Sequence, residues 1–298
     1  MRIGIDLGGS HLGIGALNGD GKLLYTEEKD FTQEEKNNIK EVIIKEIINK
    51  VKKLEKEINI DSIGIGVPGS TDEKNIIKAV NFGITNFPIV DELRKKINYP
   101  IKIKNDAKCA AIAENEFGCL KKYNNAIFLT IGTGIGGAII HNRQLLEMGP
   151  FGGGEFGHMI IEKDGRECKC GKKGCFEKYA SMKVLRKELV ECLKTKEDMS
   201  GAEIRKIVKT EIVSNENVRA VLENYLEYLA IGISNLVNIL EPEAIGMGGS
   251  FAYWDEILIP ILKYKLISKN YLFNKRSNID INPAILGNDA GIIGAALL

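Results

Sequence analysis

The sequence predicts an α/β protein made of two halves of like plan. Three observations lead there. Short apolar strands alternate along the chain with amphipathic helices. A strand, glycine turn and strand occur twice about 125 residues apart: Gly4-Ile-Asp-Leu-Gly-Gly-Ser-His-Leu-Gly-Ile-Gly-Ala and Leu129-Thr-Ile-Gly-Thr-Gly-Ile-Gly-Gly-Ala. The length of 298 residues suits about two domains. No Pro/Ser-rich linker intervenes, which puts the boundary in a helix near Glu116. The expected units are a smaller α/β half over 1–116 and a larger one over 117–287 that carries a cysteine loop at 158–177. A helix at about 288–298 is expected to pack back on the first half.

The elements follow in order. Residues 2–6 and 11–17 read as strands around Gly8-Gly9-Ser10, and Asn18-Gly19-Asp20-Gly21 turns the chain into a third strand at 22–27. Thr32 and Glu35 form a capping box ahead of a long helix, whose Ile39, Ile43, Ile47, Val51, Leu54 and Ile58 recur at helical spacing. A buried strand at 62–67 stops at Pro68-Gly69. A helix at 91–97, a strand at 101–104 and a helix at 107–117 come next. Strands at 126–131 and 135–140 flank Gly132-Thr133-Gly134. Helices at 203–208 and 218–240, a strand at 244–247 ending in Gly248-Gly249, and a small apolar helix at 289–298 complete the series.

Composition excludes several classes. Lys+Arg is 41 and Asp+Glu 40, a net charge of +1, which provides no field for a nucleic-acid backbone. With 44% hydrophobic and 27% charged residues the chain is globular rather than disordered. No apolar run reaches the roughly 18 residues of a spanning helix, and MRIGIDLGG is not laid out as a signal peptide. A cytoplasmic protein with no nucleic-acid or membrane partner is expected, assembled as a homodimer or homotetramer. Cys109, Cys119 and Cys192 fall in helical patterns and read as small apolar residues.

The 32 glycines gather in short strings, and these carry the chemistry. Gly8-Gly9-Ser10 and Gly132-Thr133-Gly134 are tight turns whose amides can approach an anion, with glycine supplying the positive φ. Two such turns beside Asp6 suggest a phosphate clamp in which Asp6 holds Mg²⁺. Gly132, Gly134 and Gly137 also match G-x-G-x-x-G, but a strand follows where a dinucleotide fold needs a helix. Asn105-Asp106 joins a strand to a helix, so Asp106 is either an N-cap or a general base for phosphoryl transfer. Glu155, His158 and Glu177, with Asn105, suit a neutral, hydroxyl-rich ligand. His158, Cys168, Cys170 and Cys175 form a Cys₃His set, as in a closed structural zinc site. The imidazole nitrogen facing away from the zinc is left to donate to a ligand hydroxyl.

These residues together resemble the ROK family of bacterial sugar kinases and repressors, within the actin-like ATPase superfamily. The resemblance runs from Gly4-Ile-Asp-Leu-Gly-Gly-Ser through Gly66-Val-Pro-Gly69, Asn105-Asp-Ala and Gly132-Thr-Gly-Ile-Gly-Gly137. It continues through Gly154-Glu-Phe-Gly-His158, Cys168-Lys-Cys-Gly-Lys-Lys-Gly-Cys-Phe-Glu177, Gly248-Gly249 and Gly287-Asn-Asp-Ala-Gly291. It implies a two-lobed actin-like ATPase (ribonuclease H-like) fold, with mixed sheets, flanking helices and a cleft closing over a sugar. It further implies that Asp106 is the base for a hexose 6-hydroxyl, and that Asn105, Glu155, His158, Glu177, Asn81 and Gly69 hold the sugar. Asp6, Gly8, Gly9, Ser10, Thr133, Gly134, Gly248 and Gly249 would serve ATP and its Mg²⁺. Where glucokinase-like members have Asn-Leu-Pro-x-x-Trp, this chain has Asn81-Phe-Gly-Ile-Thr-Asn-Phe87. Glucose is the expected acceptor, ahead of N-acetylglucosamine, N-acetylmannosamine and fructose. ATP is the expected donor, with polyphosphate as the alternative. A sugar-sensing repressor is disfavoured, because Asp6 stands only six residues into the sequence and no DNA-binding segment precedes it.

Overall fold

Isoleucine and leucine alternate with glycine in the opening residues, and both faces of the resulting strand are buried. In a computed structural model of the chain, residues 1–79, 82–149, 152–272 and 279–298 are described. β1 (Arg2–Leu7) pairs antiparallel with β2 (His11–Leu17), and β2 pairs with β3 (Leu23–Asp30). β4 (Ser62–Val67) lies parallel to β1, and β8 (Ile101–Asn105) parallel to β4, in the order β3-β2-β1-β4-β8. Between β4 and β8 come β5 (Ser70–Thr71), β6 (Ile76–Ala79) and β7 (Ile84–Phe87), a small antiparallel sheet, then α2 (Ile89–Arg94). α1 (Ile39–Leu54) follows a 3₁₀ turn at Glu35–Asn38, where Thr32 and Glu35 exchange the two hydrogen bonds of a capping box. α1 stops at Leu54, one turn short of the periodic pattern, and leaves Ile58 in the following loop.

The chain forms two compact units. The first comprises Met1–Lys122, Arg143–Gly153 and Leu286–Leu298; the second comprises Tyr123–Asn142 and Gly154–Ile285. α3 (Asp106–Glu116) belongs to the first unit, and Cys119 lies in the turn after it, not in a helix as its apolar neighbours suggest. In the second unit β9 (Ala126–Ile131) pairs antiparallel with β10 (Ile135–His141). β11 (Gln144–Leu145) lies in the 143–153 segment. After α4 (Glu177–Ala180), α5 (Met182–Leu193), α6 (Gly201–Glu211) and α7 (Glu216–Leu240), β12 (Ala244–Gly248) joins β9 in parallel. α8 (Asp255–Ser268) and β13 (Asp280–Pro283) follow, with β13 parallel to β12. In each unit the hairpin that flanks the glycine turn is extended on one side by two parallel strands, which matches the repeated sequence unit.

α9 (Asp289–Ala296) returns to the first unit and lies against β1 and β4 at a distance only glycine permits. A Cβ on Gly4 would fall 1.9 Å from the Ile292 carbonyl oxygen, and one on Gly64 1.8 Å from that of Ala295. Its Ala290, Ile293 and Ala296 join Leu17 and Ala113 in a small core of their own. The second unit's core centres on α7, which packs against α4, α5 and α8.

Candidate active site

In the first unit the candidate residues gather at the carboxyl ends of the parallel strands β1, β4 and β8, the edge where open α/β sheets place ligands. Asp6 stands near the end of β1. A Cβ on Gly291 of α9 would come 2.5 Å from its carboxylate, and one on Gly66 of β4 3.6 Å from its Oδ1. Loss of water around the buried carboxyl, with repulsion from Glu28 as a second cause, pushes Asp6 up to about 6. A group so placed gains from a divalent cation beside it, and Asp6 is the residue here that fits Mg²⁺. Gly9 and Ser10 are exposed on the turn to β2, and the His11 ring lies over Gly8, where a Cβ would meet it at 2.1 Å.

Gly69, just past β4, takes φ +91°, and its carbonyl accepts a 2.9 Å hydrogen bond from Asn105 Nδ2. Asn105 also caps α3, its Oδ1 accepting from the Lys108 amide at 3.2 Å. Asp106 is therefore not the cap. It is the first helical residue, partly exposed, and its Oδ1 accepts from the Ala107 amide at 2.8 Å. The helix dipole favours a carboxylate at that position. Lys108 is buried, and its ammonium lies so close to Gly152 that a Cβ there would be 2.2 Å away. A cavity of about 680 Å³ opens along β8 among Lys74, Arg94, Lys102, Lys104 and Lys108, with Glu73 and Glu147 between them. Its lining includes none of the candidate site residues. Asn81 lies outside the described residues.

In the second unit the Gly132–Gly134 turn closes with a 3.0 Å bond from the Gly132 amide to the Gly134 carbonyl, and β10 follows, which excludes the dinucleotide arrangement. Neither Gly132 nor Gly134 takes a positive φ, contrary to the sequence expectation. A Cβ on Gly134 would come 2.7 Å from Glu177 Oε2, the mobile tip of that side chain. Gly248 lies opposite Thr130 on the neighbouring strand. Gly249, at φ +68°, would set a Cβ 2.7 Å from the Ile131 carbonyl oxygen, so both glycines border the turn. Lys183, which sequence patterning does not single out, donates its amide to the Gly132 carbonyl at 3.2 Å.

Gly154 leads into Glu155 and a 3₁₀ turn over Phe156–His158. Gly157 lies against the Ile135 carbonyl and Phe156 against Gly137, which fixes this turn on β10 and leaves Glu155 exposed. Glu177 opens α4 just after Phe176, whose buried ring fills the space over Gly232 of α7. His158, Cys168, Cys170 and Cys175 bring their ligand atoms within 4.8 Å of one another. Zinc–sulfur bonds of about 2.3 Å at tetrahedral angles place ligand atoms ~3.7 Å apart. Cys170 Sγ and Cys175 Sγ are 3.6 Å apart, and His158 Nδ1 is 3.8 Å from Cys168 Sγ. Burial and neighbouring thiols push Cys175 up to about 12, whereas the Lys172 amide draws Cys170 down. Such thiols shed their protons together only with a cation among them, and the set fits a closed zinc site. Nδ1 faces the sulfurs, so Nε2 is the His158 nitrogen on the far side of the ring.

The sequence profile described as the ROK family matches residues 2–298. The glucokinase of Thermotoga maritima is 29% identical over 99% of this chain and 95% of its own. A xylose repressor of Bacillus spizizenii is 29% identical over 98% of this chain and 75% of its own. Among solved structures, a ROK family glucokinase from Streptomyces griseus, in complex with glucose and AMPPNP, superposes with a TM-score of 0.81. It is 26% identical and the match covers 99% of this chain and 97% of that one, so the fold is the actin-like ATPase fold of those kinases. Because the profile match runs through both units without a break, the chain belongs to the ROK family.

Proposed function

We propose that this chain is an ATP-dependent sugar kinase that phosphorylates the 6-hydroxyl of a hexose, with glucose the preferred acceptor. The observation that carries the reading is at the start of α3. Asn105 meets the capping requirement, and Asp106 follows it as a partly exposed carboxylate at the carboxyl edge of the sheet. Asp106 accepts the proton of the 6-hydroxyl. The sugar oxygen then bonds to the γ-phosphorus as the bond to the β–γ bridging oxygen breaks and ADP leaves. Asn105 and Gly69, already joined by a hydrogen bond, orient the sugar from the first unit. Glu155 and Glu177 accept its hydroxyls and His158 Nε2 donates to one. Gly8, Gly9, Ser10, Thr133 and Gly134 offer amides and hydroxyls to phosphate, with Gly248 and Gly249 beside the adenosine. A Mg²⁺ at Asp6 supplies charge neutralisation when bound, and zinc, held by His158, Cys168, Cys170 and Cys175, fixes the loop that presents His158 and Glu177.

The supporting relatives are glucokinases at about 30% identity across nearly the whole chain. The deciding experiment is a coupled ADP-release assay on glucose, mannose, fructose, N-acetylglucosamine and N-acetylmannosamine, with ATP and with polyphosphate as donors. Glucose with ATP is expected to give the highest kcat/KM. A higher value for an N-acetylhexosamine would replace the acceptor. Hexose binding without turnover of any sugar would overturn the kinase reading and favour the regulator class that the xylose repressor similarity represents.

A further inference from the structure

The cavity of about 680 Å³ beside β8 shares no lining residue with the candidate active site, and the first unit alone supplies its walls. That volume suits a small-molecule ligand. Its positive charge is assembled from four segments. β8 is the edge strand of its sheet, with Ile101 and Ile103 turned into the core and Lys102 and Lys104 alternating away from them. Lysines on a sheet edge serve by themselves to block strand pairing. Three further cations line the same space, however: Lys74 from the turn after β5, Arg94 from the end of α2, and Lys108, only 4% exposed, from the first turn of α3. The nearby carboxylates are largely engaged. Asp72 accepts the Lys74 and Asn75 amides at 2.8 and 2.7 Å, and Glu147 accepts from Lys104 at 2.7 Å. Lys102 donates to the Leu298 carbonyl. Among the described residues Lys74 and Arg94 form no ion pair. Five cations thus line the cavity against the carboxylates of Asp72, Glu73 and Glu147.

We propose that this cavity is a separate anion site that takes a phosphomonoester, with Arg94, Lys74 and Lys102 holding the phosphate group. A phosphate group carries about two negative charges and three acceptor oxygens, which suits cations that arrive from different segments. A carboxylate brings one charge and two oxygens, and leaves part of that field unmet. Arg94 offers a planar fork for two of the phosphate oxygens, while Lys74 and Lys102 act as point charges on flexible stems. The phosphate group fills only part of the space, which leaves room for the organic group it is esterified to. The site does not depend on the kinase reading, because none of its residues takes part in that reading.

The test is titration calorimetry of the full chain at fixed pH and physiological ionic strength, with no nucleotide or sugar present. Three probes are titrated in turn: glycerol 3-phosphate, inorganic phosphate and acetate. Glycerol 3-phosphate is an ester with no hexose ring, so the residues proposed for the sugar do not capture it. It is expected to bind, inorganic phosphate to bind more weakly, and acetate not at all. Arg94→Gln combined with Lys102→Gln removes two exposed cations, and should weaken the ester by about tenfold or more. Thr133→Ala, in the turn proposed for nucleotide phosphate, should leave its affinity unchanged. Full affinity in the Arg94→Gln, Lys102→Gln chain would place the ligand elsewhere and overturn the inference. So would loss of binding in Thr133→Ala, acetate binding as tightly as the ester, or no binding of the ester by wild type. Tighter binding of inorganic phosphate would overturn the ester and leave free phosphate as the ligand.

Discussion

Asp6 and Asp106 sit on one sheet edge in different surroundings, and the difference sets what each can do. Asp106, at a helix start with its cap supplied by Asn105, is suited to receive a proton. Asp106→Asn is expected to lower kcat by about 10²–10⁴-fold with hexose binding intact, measured by ADP release and calorimetry. Asp6 is raised to about 6 from 3.8, so the folded state favours its neutral form. Stability from this group, complete below its ordinary value, is lost as the pH climbs through about 6, at a cost near 3 kcal/mol by pH 7. Asp6→Asn should therefore raise the denaturation midpoint at pH 7 and flatten its dependence between pH 4 and 7, and the proposed Mg²⁺ role predicts that added Mg²⁺ stabilises wild type but not this variant. A midpoint unchanged at pH 7 would contradict this. Motif spacing singled out these carboxylates as candidates, and it picked out the Cys₃His set that the fold brings within 4.8 Å of one another. It did not reveal that Gly134 lies against Glu177, because the two are 43 positions apart in the sequence.

At the scale of elements, strands and helices with a clean period were legible: β4 spans Ser62–Val67, as its apolar run indicates. β5, β6 and β7 are two to four residues long, too short to show a period. α8 is apolar on more than one face and contains Pro260, which reads as a breaker, although the helix continues through it. That the last stretch packs on the first unit was legible, but the closeness of the approach was not, since Gly4 and Gly64 read as ordinary strand residues. Gly64→Ala should cost roughly 3 kcal/mol or somewhat more, because the added methyl meets a backbone carbonyl that cannot step aside. Gly19→Ala, with nothing within 4 Å, should stay within about 0.5 kcal/mol of wild type. Urea midpoints of the two variants check this, and equal midpoints would show that α9 yields readily.

For the molecule as a whole, the repeated glycine-turn unit foretold the matching plan of the two units, since both copies build an antiparallel pair with parallel strands added on one side. The path of the chain between them was not written in that repeat: the first unit is assembled from three separate stretches, of which Leu286–Leu298 is the last. During synthesis, β1 and β4 leave the ribosome with Gly4 and Gly64 bare, and wait for α9 until every residue of the second unit has been translated. Stopping translation after Ile285 should give a chain in which the second unit resists protease while Met1–Lys122 is cut within minutes, and supplying residues 286–298 as a peptide should restore protection. Protection of both units without the peptide would show that the first unit closes on its own. α9, translated only after the second unit, thus decides when the first sheet becomes safe from misassembly.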